Sequence, residues 1–336
     1  MLMLLFRKKW AIATVSLGKH PSHTLERKIE AAASYGFSGI GLVHADLLHH
    51  ATSNGLSPLE SAEQIKNLCT SRNLEILSLN PLKNFEGNLS TPLEERLRVA
   101  SDWINLAVAA GAKFVQVPSQ FLQHSTNDDD VIIPELQALA DLAAQSRVSI
   151  AYEPVAFAAF HDTWKDGLRV VKSVGRPNFK LCLDSFHIHS RLWGDPYAHS
   201  GQLPNGETEI AESMAQFLKQ APKDHLCYLQ LSGGSRFDPP LTDDSPLFDG
   251  LEVKDARLAW SRSARPFPLE KRGYFPVVEI MRTWSVDYGW DGWFSVEGFL
   301  KETELEGNGP EVMAERAVTF MQALYEKVHS AVLYQE

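Results

Sequence analysis

Four side chains that could bind a metal ion stand at the ends of four apolar stretches. They are Glu153 in VSIAYEP, Asp184 in FKLCLDSF, Gln230 in HLCYLQLSG and Glu297 in GWFSVEGF. Each stretch is rich in β-branched and aromatic residues and breaks into loop-forming residues just after the polar one, which is typical of a buried strand. A buried carboxylate is costly unless a counter-charge compensates it. Three carboxylates and one amide around one point therefore predict a hard divalent-cation site.

The chemistry of such a site follows from its ligands. Oxygen ligands favour Mn²⁺, Mg²⁺ or Co²⁺ over a metal that prefers sulfur. A cation of this kind polarises a ketone and stabilises the enolate that forms when a neighbouring carbon loses its proton. A histidine can carry that proton. His187, three residues after Asp184, is the predicted proton carrier, and His44 and His161, at or after the ends of predicted strands, are further catalytic candidates.

The four candidate ligands are separated by 31, 46 and 67 residues, so only the fold can bring them together. Strand-like segments are expected at Ala11–Leu17, Gly39–His44, Glu75–Leu79, Phe114–Pro118, Ser149–Glu153, Lys180–Asp184, Cys227–Leu231 and Trp293–Glu297. Helical patterns follow them at Thr24–Tyr35, Ser57–Arg72, Pro92–Ala110, Pro134–Ser146, Thr163–Val174, Glu207–Gln220, Phe275–Tyr288 and Pro310–Ser330.

Eight alternations of strand and helix predict a parallel sheet, closed as a single (β/α)₈ TIM barrel that forms one domain over residues 1–336. The active site of such a barrel lies at the carboxyl ends of the strands, where all four candidate ligands fall. The alternative is that each residue separately caps a helix or pairs with a nearby arginine. The equivalent positions of all four favour the shared site.

Further polar residues are candidate substrate contacts. Residues 232–273 form a long segment after the seventh strand, in which we expect no helix, and its basic residues could bind a substrate carboxylate or phosphate. Arg265 is the strongest candidate in that segment for binding such an anionic group. The other predicted substrate contacts lie at or after the ends of the third, fourth and sixth strands: Asn80, Lys83, Gln116 and Arg191.

Composition limits the possible partners. A net charge of −10 argues against nucleic acid or an anionic membrane. No GxGxxG follows the first strand and no GxxxxGK[ST] occurs, so no nucleotide cofactor is expected. The three cysteines are widely separated and indicate buried thiols of a reducing compartment. We therefore expect a cytoplasmic protein that acts on a small molecule, with a homodimer as the default assembly.

Several motifs, in this order, resemble 3-dehydroshikimate dehydratases within the xylose isomerase-like superfamily of barrels. They are IATVSLG, YEPVAFAAFHDTW, RPNFKLCLDSFHIHSR, LQLSGG, AWSRSARPFP, RGYFPVVEI and GWFSVEGF. The resemblance implies that Glu153, Asp184, Gln230 and Glu297 hold the metal. It also implies that His187 is catalytic and that His44 and His161 lie in the pocket.

The resemblance leaves the reaction open, because two pocket segments depart from the family pattern. The run GLVHADL at the second strand has Gly41 and Ala45 where the family tends to carry acidic residues. After the third strand, the family has a QPF-like segment that is accompanied by an arginine, whereas this chain has Asn80, Pro81, Leu82 and Lys83. The implied activity is dehydration of 3-dehydroshikimate, or of a close cyclic keto acid, to protocatechuate. The alternatives are a sugar or polyol isomerase or epimerase with the same metal chemistry, and an inactive barrel that only binds a ligand.

Overall fold

The computed structural model describes residues 9–333, with side chains described up to residue 329. Eight parallel strands form a closed barrel in chain order, the last pairing with the first. They are β1 Lys9–Ala13, β2 Gly39–Val43, β3 Glu75–Asn80, β4 Phe114–Pro118, β5 Ser149–Glu153, β6 Phe179–Asp184, β7 Leu226–Leu231 and β8 Trp293–Val296. The predicted (β/α)₈ barrel is confirmed, and the strand bounds differ by a residue or two except in β1, whose predicted second half is a 3₁₀ turn over Thr14–Leu17.

The helices surround this barrel. They are α1 Leu25–Ser34, α2 His44–Ser53, α3 Pro58–Ser71, α4 Leu93–Ala110, α5 Asp129–Gln145, α6 Trp164–Val174, α7 Ser185–Leu192, α8 Gly206–Gln220, α9 Ala256–Ser263, α10 Val277–Arg282 and α11 Pro310–Leu333. A π turn over Thr283–Asp287 extends α10. Among residues 9–333, no helix has both the length and the apolar composition needed to cross a membrane.

Local sequence explains where several helices begin and end. Ser57 accepts a hydrogen bond from the backbone of Glu60 while the Glu60 carboxylate accepts one from the backbone of Ser57, so a capping box starts α3. The hydroxyl of Thr163 caps α6 by accepting a hydrogen bond from the backbone N–H of Asp166. Gly111 ends α4 in the left-handed conformation that glycine adopts without strain. These signals are local, which is why the sequence locates these ends well.

The core has two parts because strand residues alternate between the barrel interior and the helix layer. Most apolar side chains pack between strands and helices. The smaller interior cluster includes Cys182 and Cys227 as buried free thiols, as predicted, with Tyr228 and Trp293 beside them. This interior packing closes the barrel beneath the carboxyl ends of the strands.

The expectation that residues 232–273 contain no helix is wrong. The helix α9 lies within this segment and is capped by Asp255, whose carboxylate accepts hydrogen bonds from the backbones of Arg257 and Leu258. After α9, residues Ala264–Arg265 pair antiparallel with Phe299–Leu300 as a short ribbon. The helix has only eight residues and follows a long irregular stretch, so its pattern is too short to stand out in the sequence.

Candidate metal and active site

The structure brings the four candidate ligands together at the mouth of the barrel. Glu153 and Asp184 are the last residues of β5 and β6, Gln230 is next to last in β7, and Glu297 directly follows β8. Asp184 pairs in register with Gln230 across β6 and β7. All four side chains are buried, at 1% to 7% exposure. Residues far apart in the sequence therefore share one small volume.

Arg265 supplies a positive charge to this cluster. Its Nη2 donates to Oδ2 of Asp184 and lies 3.0 Å from Oε2 of Glu297. Its Nε donates to Oγ of Ser232 at 2.8 Å. The guanidinium group also faces the ring of Phe186 at 5.0 Å, and the Arg265 side chain is only 2% exposed. An arginine held this firmly is part of the site.

The charge balance fits a divalent cation. Three carboxylates face the one guanidinium of Arg265, which leaves about two negative charges uncompensated when all are ionised. Burial, followed by the charges of Glu297 and Asp184, raises the pKa of Glu153 well above its usual value. Burial also raises the pKa of Glu297 to about 7, even though Arg265 opposes the shift. Such a donor set suits a hard cation that would replace the missing positive charge.

The orientation of Gln230 distinguishes it from the carboxylates. Its Oε1 accepts hydrogen bonds from Nε2 of Gln116 at 3.1 Å and from Sγ of Cys182 at 3.0 Å. Gln116 Nε2 also donates to Oε2 of Glu153 at 2.7 Å. Both acceptor positions of the amide oxygen are therefore occupied. Gln230 would have to turn before that oxygen could bind a metal.

His187 lies beside Glu153, with its Nε2 3.8 Å from Oε1 of that carboxylate. One ligand atom from each of Glu153, Asp184 and His187 falls within 4.8 Å of the others. However, Nδ1 of His187 accepts a hydrogen bond from the backbone N–H of Ala156 at 3.2 Å. Burial and then the charge of Arg265 lower the pKa of His187 well below its usual value, so the ring is neutral and carries its hydrogen on Nε2. His187 is thus better suited to donate a hydrogen bond than to bind a metal.

A cavity of about 130 Å³ opens above the carboxylates. Its walls are largely apolar and include Phe121, Val155, Phe157 and Phe299. Polar side chains occur at its floor and at its rim. Apolar walls with a few convergent polar groups are typical of a site for a small organic molecule.

Comparison with known proteins agrees with this geometry. The family model described as a xylose isomerase-like TIM barrel matches residues 29–324. The chain belongs to the xylose isomerase-like TIM-barrel family. Within it, the chain is 3-dehydroshikimate dehydratase-like: it is 32% identical over 329 residues to a Neurospora crassa protein of that name, covering 92% of this chain and 90% of the relative.

A further relative and a solved structure are also similar to the chain. A 3-dehydroshikimate dehydratase of Pseudomonas aeruginosa is 34% identical over 86% of this chain, but the match spans only 38% of that longer protein. A solved structure described as a xylose isomerase-like TIM barrel/4-hydroxyphenylpyruvate dioxygenase fusion protein superposes with a TM-score of 0.75 at 23% identity. The superposition covers 98% of this chain and 44% of the fusion protein, and a similarity at this identity shows the fold alone.

Four of the predicted substrate contacts line the cavity of this family member: Asn80, Lys83, Gln116 and Arg265. The Oδ1 of Asn80 is buried, and the described residues offer it no hydrogen-bond donor. This oxygen can therefore accept a hydrogen bond from a ligand. Arg191 is not among the residues that line the cavity. Its Nε binds Oδ2 of Asp162 at 2.8 Å, and both residues line a separate crevice of only about 10 Å³, so the geometry gives no support to substrate binding by Arg191.

The structure also places His44 and His161 away from the cavity, contrary to the prediction. His44 begins α2 and stacks on Trp103 with ring centroids 4.1 Å apart, on the outside of the barrel. His161 lies behind β5, where its Nδ1 contacts the hydroxyl of Tyr152 at 3.3 Å and its Nε2 accepts from Arg169 at 3.1 Å. Tyr152 faces the helix layer because it alternates with Glu153, and His161 follows it there.

Sequence reasoning missed several residues at the site. Ser232 connects Arg265 to Asp184, since its Oγ also donates to Oδ1 of that aspartate at 3.1 Å. Ser261 and Arg262 of α9 line the cavity. The position of Ser232 directly after β7 was a usable signal, because polar residues there face the mouth of a barrel. The other two depend on α9, which the sequence does not reveal.

Proposed function

We propose that the chain is a divalent-metal-dependent dehydratase that converts 3-dehydroshikimate, or a close cyclic keto acid, to protocatechuate. The observation that carries the proposal is the buried cluster of Glu153, Asp184 and Glu297 at the floor of an apolar cavity. Its excess negative charge calls for a divalent cation. The Neurospora crassa relative, which matches along 92% of this chain, bears the name of this activity.

Glu153, Asp184 and Glu297 would hold the cation, which is Mn²⁺, Mg²⁺ or Co²⁺ in this proposal, and Gln230 would join them after turning. When bound, the cation supplies Lewis acidity that polarises the substrate ketone and stabilises the enolate charge. Arg265 lines the cavity as well as contacting these carboxylates, so its guanidinium would also be placed to donate a hydrogen bond to a substrate oxygen. Gln116 orients Glu153 through its 2.7 Å hydrogen bond.

The proton transfer is assigned to Glu153, and His187 is assigned the role of hydrogen-bond donor. The carbon next to the ketone loses its proton to the free oxygen of Glu153, which faces His187. The hydroxyl on the following carbon then leaves and takes up that proton, so that one water departs. His187 stabilises the leaving oxygen by donating a hydrogen bond from Nε2. Loss of a further ring proton and protonation of the ketone oxygen complete the aromatic ring.

This assignment changes the expected role of His187 from proton carrier to hydrogen-bond donor. The reason is the backbone N–H of Ala156, which must meet a lone pair on Nδ1. A neutral histidine that presents an N–H can polarise an oxygen without accepting a proton. Glu153 offers a carboxylate oxygen to the same space, because its Oε1 lies 3.8 Å from Nε2 of His187.

The test is an assay of metal-free protein reconstituted separately with Mn²⁺, Mg²⁺ or Co²⁺ and supplied with 3-dehydroshikimate. We expect protocatechuate absorbance to appear with metal and to be lost in Asp184→Ala. The control is Asp141→Ala, which removes an exposed carboxylate paired with Arg176 and should leave the rate unchanged. Metal binding without protocatechuate would contradict dehydration and favour an isomerase or epimerase, in which the proton returns to carbon.

A further inference from the structure

Two cationic side chains face each other at the rim of the cavity, and one carboxylate lies between them. Lys83 follows β3, and Arg262 belongs to α9; both line the cavity. Oε1 of Glu252 lies 2.6 Å from Nζ of Lys83 and 3.8 Å from Nη2 of Arg262. A single carboxylate oxygen thus contacts both cations across the opening.

The two cations at the rim are opposite in charge to the carboxylates at the floor of the cavity. The floor carries the carboxylates of Glu153, Asp184 and Glu297, whereas the rim carries Lys83 and Arg262. Without a bound cation, the floor repels an anionic group and the rim attracts it, whereas a cation held by the carboxylates would neutralise the floor and leave the rim cationic. A small molecule with a carboxylate at one end and neutral oxygens at the other is therefore favoured in the orientation that places its carboxylate at the rim.

The contact of Glu252 with this pair does little for the fold. Lys83, Arg262 and Glu252 are 30% to 35% exposed at their side chains, and exposed ion pairs contribute little to stability. The contact does, however, fill the place that a ligand carboxylate would take. It also connects the segment after β3 to the loop that contains α9, since Lys83 and Glu252 are 169 residues apart in the chain.

We propose that Lys83 and Arg262 recognise the carboxylate of the substrate, and that Glu252 is an internal carboxylate which occupies them until the substrate displaces it. The substrate class is a small ring carboxylate that carries neutral oxygens at its far end. This inference rests on the proposed function for the identity of the substrate. The recognition itself can be measured without turnover.

The expected effects follow from competition. Loss of Lys83 or Arg262 removes a charge-assisted hydrogen bond to the ligand and should weaken carboxylate binding by about tenfold or more. Glu252→Gln removes the internal competitor. It should tighten carboxylate binding by up to about fivefold, which corresponds to the strength of an exposed ion pair.

The experiment is titration calorimetry of the metal-loaded protein with benzoate and with benzamide, which has nearly the same shape without the charge. The variants are Lys83→Met, Arg262→Met and Glu252→Gln. The control is Asp249→Asn, which removes one negative charge from the same loop at an exposed position. We expect benzoate affinity to fall in the first two variants, to rise in Glu252→Gln and to stay constant in the control, while benzamide affinity stays constant throughout.

Two results would overturn the proposal. Benzoate affinity that is equal in the wild type, Lys83→Met and Arg262→Met would place the carboxylate elsewhere. Equal gains in Glu252→Gln and Asp249→Asn would reduce the effect to general charge. The predicted pattern supports the recognition site even if 3-dehydroshikimate is not converted, so failure of the proposed reaction and failure of this inference can be told apart.

Discussion

Arg265 donates a hydrogen bond to the carboxylate of Asp184 from a position 81 residues further along the chain. Both side chains are nearly inaccessible to solvent, at 2% and 1% exposure. Because the same guanidinium also contacts Glu297, it holds two of the proposed metal ligands. Arg265 therefore stands in for part of the charge that a cation would bring.

The first prediction concerns stability without metal. Arg265→Met leaves buried carboxylates without their partner, and breaking a buried pair in this way costs about 3–5 kcal/mol. Urea unfolding of metal-free protein should show this loss, and Mn²⁺ should recover much of it. Arg236→Met is the control, because its contact with Asp238 is exposed and long at 3.7 Å. Equal losses in the two variants would contradict the role given to Arg265.

The second prediction concerns metal affinity. Glu153→Gln should weaken Mn²⁺ binding by about a hundredfold or more, because it removes a charged metal ligand. Loss of a residue that only hydrogen-bonds to a metal ligand already lowers metal affinity by roughly 10–100-fold. Calorimetric titration with Mn²⁺ measures the change. The control is Glu75→Gln, because Glu75 begins β3 at the end away from the site and its side chain is 45% exposed. This variant should bind Mn²⁺ like the wild type. Unchanged affinity in Glu153→Gln would move the cation away from this carboxylate.

The third prediction separates the histidines. His187→Leu should lower kcat by about 10²–10³-fold while Mn²⁺ binding persists, because it removes the N–H that donates to the leaving oxygen and does not remove a metal ligand. His44→Gln should stay within about twofold of the wild-type kcat, since His44 stacks on Trp103 outside the cavity. A loss of turnover in His44→Gln would return this residue to the pocket that the sequence predicted for it.

The fourth prediction concerns how stability depends on pH through Glu86, a residue outside the proposed metal site. Glu86 is buried, and burial raises its pKa to about 7 from 4.5, although hydrogen bonds from Gln120 and Tyr152 oppose the shift; the charge of Glu135 adds to it. Its Oε1 accepts from the backbone of Gln120 at 2.7 Å and from the hydroxyl of Tyr152 at 2.9 Å. The raised pKa means that the folded state holds this proton more tightly than the unfolded state.

The contribution of Glu86 to stability is therefore fully present below pH 4.5 and declines as pH rises through about 7. The whole change amounts to about 3 kcal/mol. Glu86→Gln keeps the acceptor oxygen and should flatten this part of the profile, measured as the free energy of unfolding between pH 4.5 and 8. A profile with the same slope as the wild type would show that Glu86 does not titrate in this range.

The sequence predicts the barrel and the ligand cluster well because both depend on a repeated pattern. Each buried strand carries its polar residue at the carboxyl end, so Glu153, Asp184 and Glu297 reach the same place once the barrel closes. The short helices α2 and α7 were not predicted. Each starts directly at the end of a strand, at His44 and Ser185, so the sequence contains no intervening turn to mark the change.

Side-chain direction explains the remaining errors in the site. His161 comes soon after β5, as a pocket residue would, yet the chain carries it behind the sheet beside Tyr152. Position relative to a strand end indicates depth along the barrel axis, but it does not indicate which side of the wall a later residue reaches. The contact between Lys83 and Glu252 joins segments 169 residues apart, which no local pattern encodes.

The ribbon between Ala264–Arg265 and Phe299–Leu300 has a consequence for redesign of this barrel. Arg265 pairs with Phe299 through the backbone, two residues beyond Glu297. A loop graft that replaced residues 232–273 alone would thus disturb the position of Glu297, a proposed metal ligand that follows β8. The loop after β7 and the segment after β8 form one exchangeable module, and a new substrate range would have to be built by transplanting both together.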